Sequence, residues 1–388
     1  MKFTSQAGAL CSAIKKAKAA TSNSVLPIVA YVKMSVVKDR LELCGNDTRM
    51  FVETFLSVKG EEDGSICAPA QRMHDVLAGL PSGAEVYVVN KKNKMAVDWG
   101  SGKAQFPTLS SDDFLTWVWG EYDTHSDVDK ADLVSAIRSV SFASTNDSTR
   151  PMMSGINFLV SEEDCRMSVR CAKSALVCEV KDLCAYDSAG CSMTVDVSLL
   201  ERAMSTVSSL NSETVSLSIG SKCLVLECTE DATRIGIVPI EGKYPTIANL
   251  FAVAQSGNIE LMFDTDSMRK ALRRLSVNMD TVSTQCKMSL ADSMSLEAIL
   301  SVEDEMSGAS AEEVVQVTSP SSVNNGHLIA FKLTDVRKIL DCVKESSMTW
   351  RISDFQKPIL ITAGNYQCIT APMMTIDKKK TIHSGVTV

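Results

Sequence analysis

The sequence predicts an α+β fold of three similar units, each carrying two short helices on antiparallel strands, and three observations predict it. Apolar residues recur at i, i+4 and i+7 as Leu10/Ile14/Ala17, Leu133/Ile137/Val140 and Met268/Leu272/Leu275. That spacing is one buried helical face, met three times. The residue after the middle anchor is basic each time: Lys15, Arg138 and Arg273. A second set alternates with the first, in which strands opening near Gly64, Gly190 and Gly326 run into Met73/Leu77/Leu80, Leu200/Met204/Val207 and Val336/Leu340/Val343.

A chain of 388 residues gives each of three units enough length for its own core. The expected boundaries are 1–123, 126–254 and 257–377, followed by a flexible basic tail at 378–388. The acidic stretch Tyr122 to Asp129 reads as the first connector and Ala254-Gln255-Ser256-Gly257 as the second. Strands are predicted in the first unit at 29–36, 40–44, 50–58, 85–89, 94–99 and 103–106, with Gly100-Ser101-Gly102 turning a hairpin between the last two. In the second unit they fall at 155–161, 165–169, 176–180, 192–195, 215–219, 223–228 and 233–239. Ser198 with Glu201 has capping-box spacing, Pro69 suits a first helical turn, and Thr334 can cap the last helix.

Hydrophobic residues make up 45% of the chain, so each unit can fill a core, yet no run nears the roughly 18 apolar residues of a membrane span. Met1-Lys2-Phe3-Thr4 leads straight into a strand-then-helix pattern without a signal-peptide stretch, so a cytoplasmic protein with no membrane partner is expected. Thirteen cysteines, odd in number and without a C-x-x-C pair, read as reduced thiols filling apolar space. Four scattered histidines (His74, His125, His327, His383) lack ligand spacing, so neither a metal nor a cofactor is expected.

A net charge of −8 argues against holding nucleic acid by bulk attraction. The helices distribute charge differently. Arg269/Arg273 and Lys270/Arg274 stack at i, i+4, the first helix adds Lys15, Lys16 and Lys18, and others carry Arg72, Arg138, Arg202, Arg337 and Lys338. Acidic residues gather in loops such as Glu303-Asp304-Glu305 and Glu312-Glu313. One solvated helix is often basic. A basic residue at the same place in three units instead points to a common surface facing a polyanion, and duplex DNA fits, its closely spaced phosphates meeting many weak contacts at once. Without zinc-finger spacing or an RNP aromatic cluster, contact should be independent of base sequence.

Gly100-Ser101-Gly102-Lys103 resembles a phosphate loop, but Val97 and Ala104 stand where that motif needs glycine and Ser/Thr. No Gly-x-Ser-x-Gly or His-Glu-x-x-His motif occurs, so no catalytic residue is assigned and a non-catalytic platform is expected. Two other classes stay open: a hydrolase or transferase with a site assembled from dispersed residues, and a repeat-type scaffold that binds proteins without DNA.

Met1-Lys2-Phe3-Thr4, Leu26-Pro27-Ile28, Pro69, Leu80-Pro81, Thr108-Leu109 before Asp113-Phe114, Gly155 with Phe158, Gly242-Lys243-Tyr244-Pro245 and Ala371-Pro372-Met373 occur in an order that resembles the bacterial sliding clamps, the β subunit of the replicative DNA polymerase, along nearly the whole chain. The resemblance implies three DNA-clamp domains per protomer, two protomers head to tail in a closed ring, and helices lining the hole around duplex DNA. It implies DNA-facing roles for Lys15, Lys16, Lys18, Arg72, Arg138, Arg202, Arg269, Lys270, Arg273, Arg274, Arg337 and Lys338. It also implies a pocket where the replicative polymerase, the clamp loader and repair polymerases dock short linear peptides. The matching positions are Met153, Arg170, Ala172, Lys173, Ser174, Ala175, Leu176, Pro245, Asn249, Leu250, Ile369, Thr370, Ala371, Pro372, Met373 and Met374. Lys103, Ala104, Phe106 and Val277 are expected at the dimer interface, with Phe106 either its anchor or a residue of the core alone, and the acidic clusters Glu303–Glu305 and Glu312-Glu313 able to meet Arg72 or Lys103. Three departures stand out: Arg170 to Leu176 replaces the family's usual Thr-Asp-Gly-His-Arg-Leu, Asn23 stands where many clamps have arginine, and a basic tail follows the Pro-Met pair.

Overall fold

Each predicted helix is launched by the strand before it. In the computed structural model α1 (Ala7–Lys18) follows Lys2–Gln6, α2 (Ala70–Ala78) follows Gly64–Pro69, α3 (Lys130–Ser141) follows Ser126–Asp129 and α4 (Val197–Ser208) follows Ser192–Asp196. After α5 (Ala248–Gln255), α6 (Thr265–Leu275) follows Ile259–Asp264 and α7 (Leu333–Cys342) follows Leu328–Lys332. The structure describes all residues except 25, 116, 121–124, 187–189, 221, 280–283, 291–295, 305–306, 319–327, 354–356 and 375–388. Tyr122, Glu305, Gly326, His327, His383 and the tail 378–388 therefore lie outside the described residues.

All eighteen predicted anchors are buried except Leu80, which is half-buried. The caps differ from those read in the sequence. Three helices begin on an aspartate that ends the preceding strand: Asp129 Oδ1 accepts from the Asp132 amide at 3.0 Å, Asp196 Oδ1 from the Ser198 amide at 2.9 Å, and Asp264 Oδ1 from the Ser267 amide at 2.8 Å. Ser198 is thus not the cap of α4, because it already lies inside the helix, whereas a capping residue must keep non-helical backbone. Thr334 is likewise internal to α7, whose N-cap position, Lys332, makes no side-chain cap bond. The second connector is corrected too: residues up to Gln255 form α5, with Phe251 and Ala254 buried.

Contacts group the chain into two compact units. The first comprises Met1–Ile137, Gly155–Ser168 and Leu183–Gly242. It contains a five-stranded antiparallel sheet in the order Lys59–Glu62, Lys2–Gln6, Glu85–Lys91, Lys94–Asp98, Lys103–Pro107, closed by the predicted hairpin with Asp98 opposite Lys103. Its second sheet has eight strands, ordered Ser126–Asp129, Thr214–Ile219, Leu224–Cys228, Thr233–Ile237, Met50–Ser57, Arg40–Asn46, Tyr31–Val37, Gly64–Pro69. The ladder between Thr233–Ile237 and Met50–Ser57 carries this sheet across the expected junction at 123–126. Compactness therefore groups the first expected domain with much of the second.

An aromatic strap seals that ladder. Trp117 stacks on Phe51 with centroids 5.4 Å apart, Trp119 meets Phe51 edge-on, and the Arg234 guanidinium lies over Trp119. Gly236 sits opposite Phe51, and a Cβ there would come within 2.7 Å of the Trp117 ring. Gly236→Ala should push Trp117 off its stack and cost about 1–3 kcal/mol. A changed tryptophan emission with a lower urea midpoint would bear this out, and an unaltered spectrum would refute it.

The second unit comprises Arg138–Ser154, Val169–Asp182 and Lys243–Val388. Within it Leu176–Ala185 pairs with Tyr366–Thr370 from Leu176 to Val180, and the sheet continues through Ile359–Ala363 and Ser347–Ile352 to Ile259–Asp264. A four-stranded sheet follows the order Ser310–Gln316, Glu297–Glu303, Gln285–Leu290, Leu328–Lys332. Trp350, buried against Phe263 and Phe331, centres the core. All thirteen cysteines are free thiols, nine of them buried. Among the described residues no helix is long and apolar enough to cross a membrane.

Candidate functional site

The repeated basic residue is exposed on all three helices. Lys15, Arg138 and Arg273 each follow a buried anchor, Ile14, Ile137 and Leu272, and roughly 100° of helical rotation turns them outward. Arg72, Lys270 and Lys338 are exposed as well, and Arg337 is half-exposed. Lys18 donates to Gln71 Oε1 at 2.9 Å, joining α1 to α2. In the first unit Lys15, Lys18, His74, Arg202 and Ser205 border a cleft of about 300 Å³.

Four other cations expected to face DNA have partners inside the protein. The Lys16 ammonium lies 3.5 Å from Asp231 Oδ1 and 3.4 Å from Thr233 Oγ1. Burial opposes ionisation of Asp231, yet amide hydrogen bonds from Ser212 and Asn211, aided by Lys16, hold its carboxyl below the usual range. Arg202 donates through Nε to the Ala19 carbonyl at 2.9 Å and through Nη2 to the Thr21 carbonyl at 3.2 Å, while Nη1 meets Asp47 Oδ2 at 2.8 Å. Arg269 serves α7 similarly, donating through Nη2 to the carbonyls of Leu340 at 2.8 Å and Val343 at 3.0 Å. The last carbonyls of a helix have no partner within it, and a fork of guanidinium donors supplies one while complementing the helix dipole. Arg274 makes a two-pronged pair with Glu313, at 2.5 and 2.8 Å. That pairing also engages Glu313, one of the acidic residues expected to meet Arg72 or Lys103.

The helix bearing Arg273 depends on its cap. Hydrogen bonds from Ser267 hold the Asp264 carboxyl below the ordinary carboxylate pKa. A depressed native pKa means the cap's stabilisation is full above the unfolded-state value and is lost as pH falls through the native one. Asp264→Ala should cost about 1 kcal/mol at neutral pH and much less well below pH 4, read from urea midpoints at the two pH values. Equal losses at both would count against the cap.

Several residues expected at a peptide pocket, Met153, Ala172 and Ile369, come together in the second unit. Ala172, Val177, Tyr244, Ile247, Phe251, Ala254, Leu360 and Ile369 form one buried apolar cluster, with Met152 and Met153 packed against it. Val177 and Ile369 are cross-strand partners. Pro245, Asn249, Leu250 and Met374 are exposed, as are Ser174 and Ala175 in the turn before Leu176. Ala371, Pro372 and Met373 are half-exposed, and the Ala371 amide donates to the Ala175 carbonyl at 2.9 Å. Leu176 and Thr370 are buried within the strand pair rather than presented at a surface.

Two rim residues are engaged locally. Arg170 lies over the Tyr244 ring at 5.3 Å; burial lowers its pKa, while Glu179 and Tyr244 favour its charge. Lys173 meets the buried Asp335 of α7 at 3.0 Å. The sequence reading missed Tyr244, Ile247 and Phe251 as cluster members, although Ile247, Leu250, Phe251 and Ala254 follow the i, i+3, i+4, i+7 pattern of a helix.

The expected dimer edge is exposed in part. Lys103–Pro107 is an edge strand with Lys103 exposed and Ala104 half-exposed, and Val277 is 81% exposed beyond α6. Phe106 is only 6% exposed and belongs to the first unit's core, which favours the core role over that of an interface anchor. Strand alternation turns it inward while Lys103 and Gln105 face out.

Glu42, Cys44 and Glu53 are the one group of possible metal ligands found among the described residues. Burial, then a hydrogen bond with Glu42, pushes the Glu53 carboxyl upward, and burial pushes the Cys44 thiol far up. A carboxyl and a thiol that hold their protons are poor metal ligands.

Comparison with known proteins agrees with this architecture. Residues 1–117 match the family described as the DNA polymerase III beta subunit, N-terminal domain. The beta sliding clamp of Synechococcus elongatus is 20% identical over 354 residues, covering 90% of this chain and 92% of that protein. The beta sliding clamp of Escherichia coli K12 is 26% identical over 156 residues, 43% of its own length. Crystal structures of the DNA polymerase III subunit beta from Pseudomonas aeruginosa and of the sliding clamp from Bacillus subtilis each superpose with a TM-score of 0.87 at 18% identity, over 97% of this chain and 100% of theirs.

Proposed function

We propose that the chain is a member of the bacterial sliding-clamp family, the β subunits of DNA polymerase III, and acts as a DNA polymerase processivity factor, two copies of which close a ring around duplex DNA in the cytoplasm. The observation that carries this reading is the exposure of Lys15, Arg138 and Arg273 at one repeated helical position. A net charge of −8 is compatible with it, because enclosure rather than phosphate affinity then sets residence time. A few shallow contacts permit sliding, whereas deep electrostatic minima would stall it.

The repeated strand and helix pattern supports three domains at 1–123, 126–254 and 257–377, with the tail 378–388 following. The exposed edge Lys103–Pro107 suits pairing with the Ser310–Gln316 edge of a second copy, near Val277, giving a head-to-tail dimer. The apolar cluster around Tyr244 and Ile369, bordered by Leu250 and Met374, suits short linear peptides of the replicative polymerase, the clamp loader and repair polymerases. The family's role is non-catalytic, and we extend that to this chain; a hydrolase or transferase, or a scaffold without DNA, is not favoured by the family.

After loader action, the protein should stay on nicked circular DNA and be lost when the circle is linearised. Light scattering should give twice the 42.0 kDa protomer mass. Equal retention on linear and circular DNA, or a species of single mass at working concentration, would overturn the reading.

A further inference from the structure

Cys178 and Cys368 face each other as a cross-strand pair between Leu176–Ala185 and Tyr366–Thr370. Both thiols are buried, with Sγ atoms 3.1 Å apart. Cα atoms of directly opposed residues in an antiparallel pair lie roughly 4.5–5.5 Å apart, within the range a disulfide spans. Bond formation would draw the sulfurs together by only about 1 Å. The residues are 190 apart in sequence, so their meeting is a product of the fold.

The surroundings are thiol-rich. Tyr366, which donates to the Ser139 carbonyl at 2.9 Å, is acted on electrostatically by Cys368, Cys178 and Cys342 together. Cys342, on α7, is the half-buried member of the three. On the adjacent rung Val177 and Ile369 belong to the apolar cluster, so the thiol pair ties together the two strands that supply part of its floor.

We propose that Cys178 and Cys368 form an oxidation site that closes into a cross-strand disulfide under thiol-oxidising conditions, stapling the two strands beneath the apolar cluster. With diamide as oxidant, the two S–H bonds break and one S–S bond forms. Both protons and the electron pair pass to the azo group, which becomes a hydrazine. Burial keeps the Cys178 thiol protonated, so closure waits on local opening and runs over minutes to hours. In a reducing cytoplasm the bond is reversible rather than permanent.

The test treats the folded full-length protein with diamide, blocks remaining thiols, and maps disulfides by mass spectrometry of a non-reduced digest. A Cys178–Cys368 linked peptide that forms under native conditions and disappears with dithiothreitol is expected, together with backbone amide exchange at Tyr366–Thr370 slowed about tenfold or more. Cys368→Ser should abolish the link and the slowing. A link found only after denaturation, or one joining Cys342 to Cys178 instead, would overturn the proposal. Because mapping uses the unaltered protein, a serine variant that folds poorly leaves the test intact, and its outcome is independent of whether the protein encircles DNA.

Discussion

Replacing Lys15, Arg138 and Arg273 together with glutamate is expected to weaken duplex binding about a hundredfold at low salt while leaving the fold and the dimer mass unchanged. All three side chains are exposed, and each follows a buried anchor that stays in place, so the substitutions act on the outer face alone. If each cation meets one phosphate, the slope of log affinity against log salt becomes shallower by about 0.9 per residue lost. The same variant should also leave circular DNA sooner after loading. A salt slope equal to that of the unmodified protein would remove the assignment of this helical position to DNA. Arg274 is a poor choice for such a test, because its pair with Glu313 makes any loss ambiguous.

Arg202→Ala is expected to destabilise the protein by about 2–4 kcal/mol in urea unfolding, with little effect on the salt slope. The substitution strips donors from the Ala19 and Thr21 carbonyls at the end of α1 and leaves Asp47, whose side chain is 5% exposed, without its cation. A buried carboxylate deprived of its partner costs far more than the intact pair contributes. Arg202→Lys should recover part of the loss, since an ammonium keeps the charge but not the fork of donors that reaches two carbonyls and a carboxylate at once. A destabilisation under about 0.5 kcal/mol with a clearly shallower salt slope would return Arg202 to the DNA-facing set.

Much of the fold was legible because its signals are local. The i, i+4, i+7 anchors located six helices, and their buried faces match. The Gly100-Ser101-Gly102 hairpin followed from turn chemistry alone. Helix starts were misread at α4 and α7 because serine, threonine and aspartate compete as caps within a few residues, and backbone conformation, which a sequence does not state, chooses among them. α5 lies hidden because its last two residues, Ala254 and Gln255, read with the following Ser256-Gly257 as a linker. Phe106 stays open between two roles for a related reason: an apolar residue on an edge strand can face the core or a partner, and a one-residue shift of register exchanges the two; packing places it in the core cluster.

By itself the sequence determined where the six repeated helices form, which face each buries and which cations stand opposite that face, since a period of 3.6 residues fixes all three within a single element. Tertiary structure decided which of those cations remain available. Arg202 finds Ala19 across 183 residues, Lys16 finds Thr233 across 217, and Arg274 finds Glu313 across 39. Unpaired carbonyls at helix ends and carboxylates drawn out of water capture the nearest donor in space, and that donor is set by packing, not by spacing along the chain.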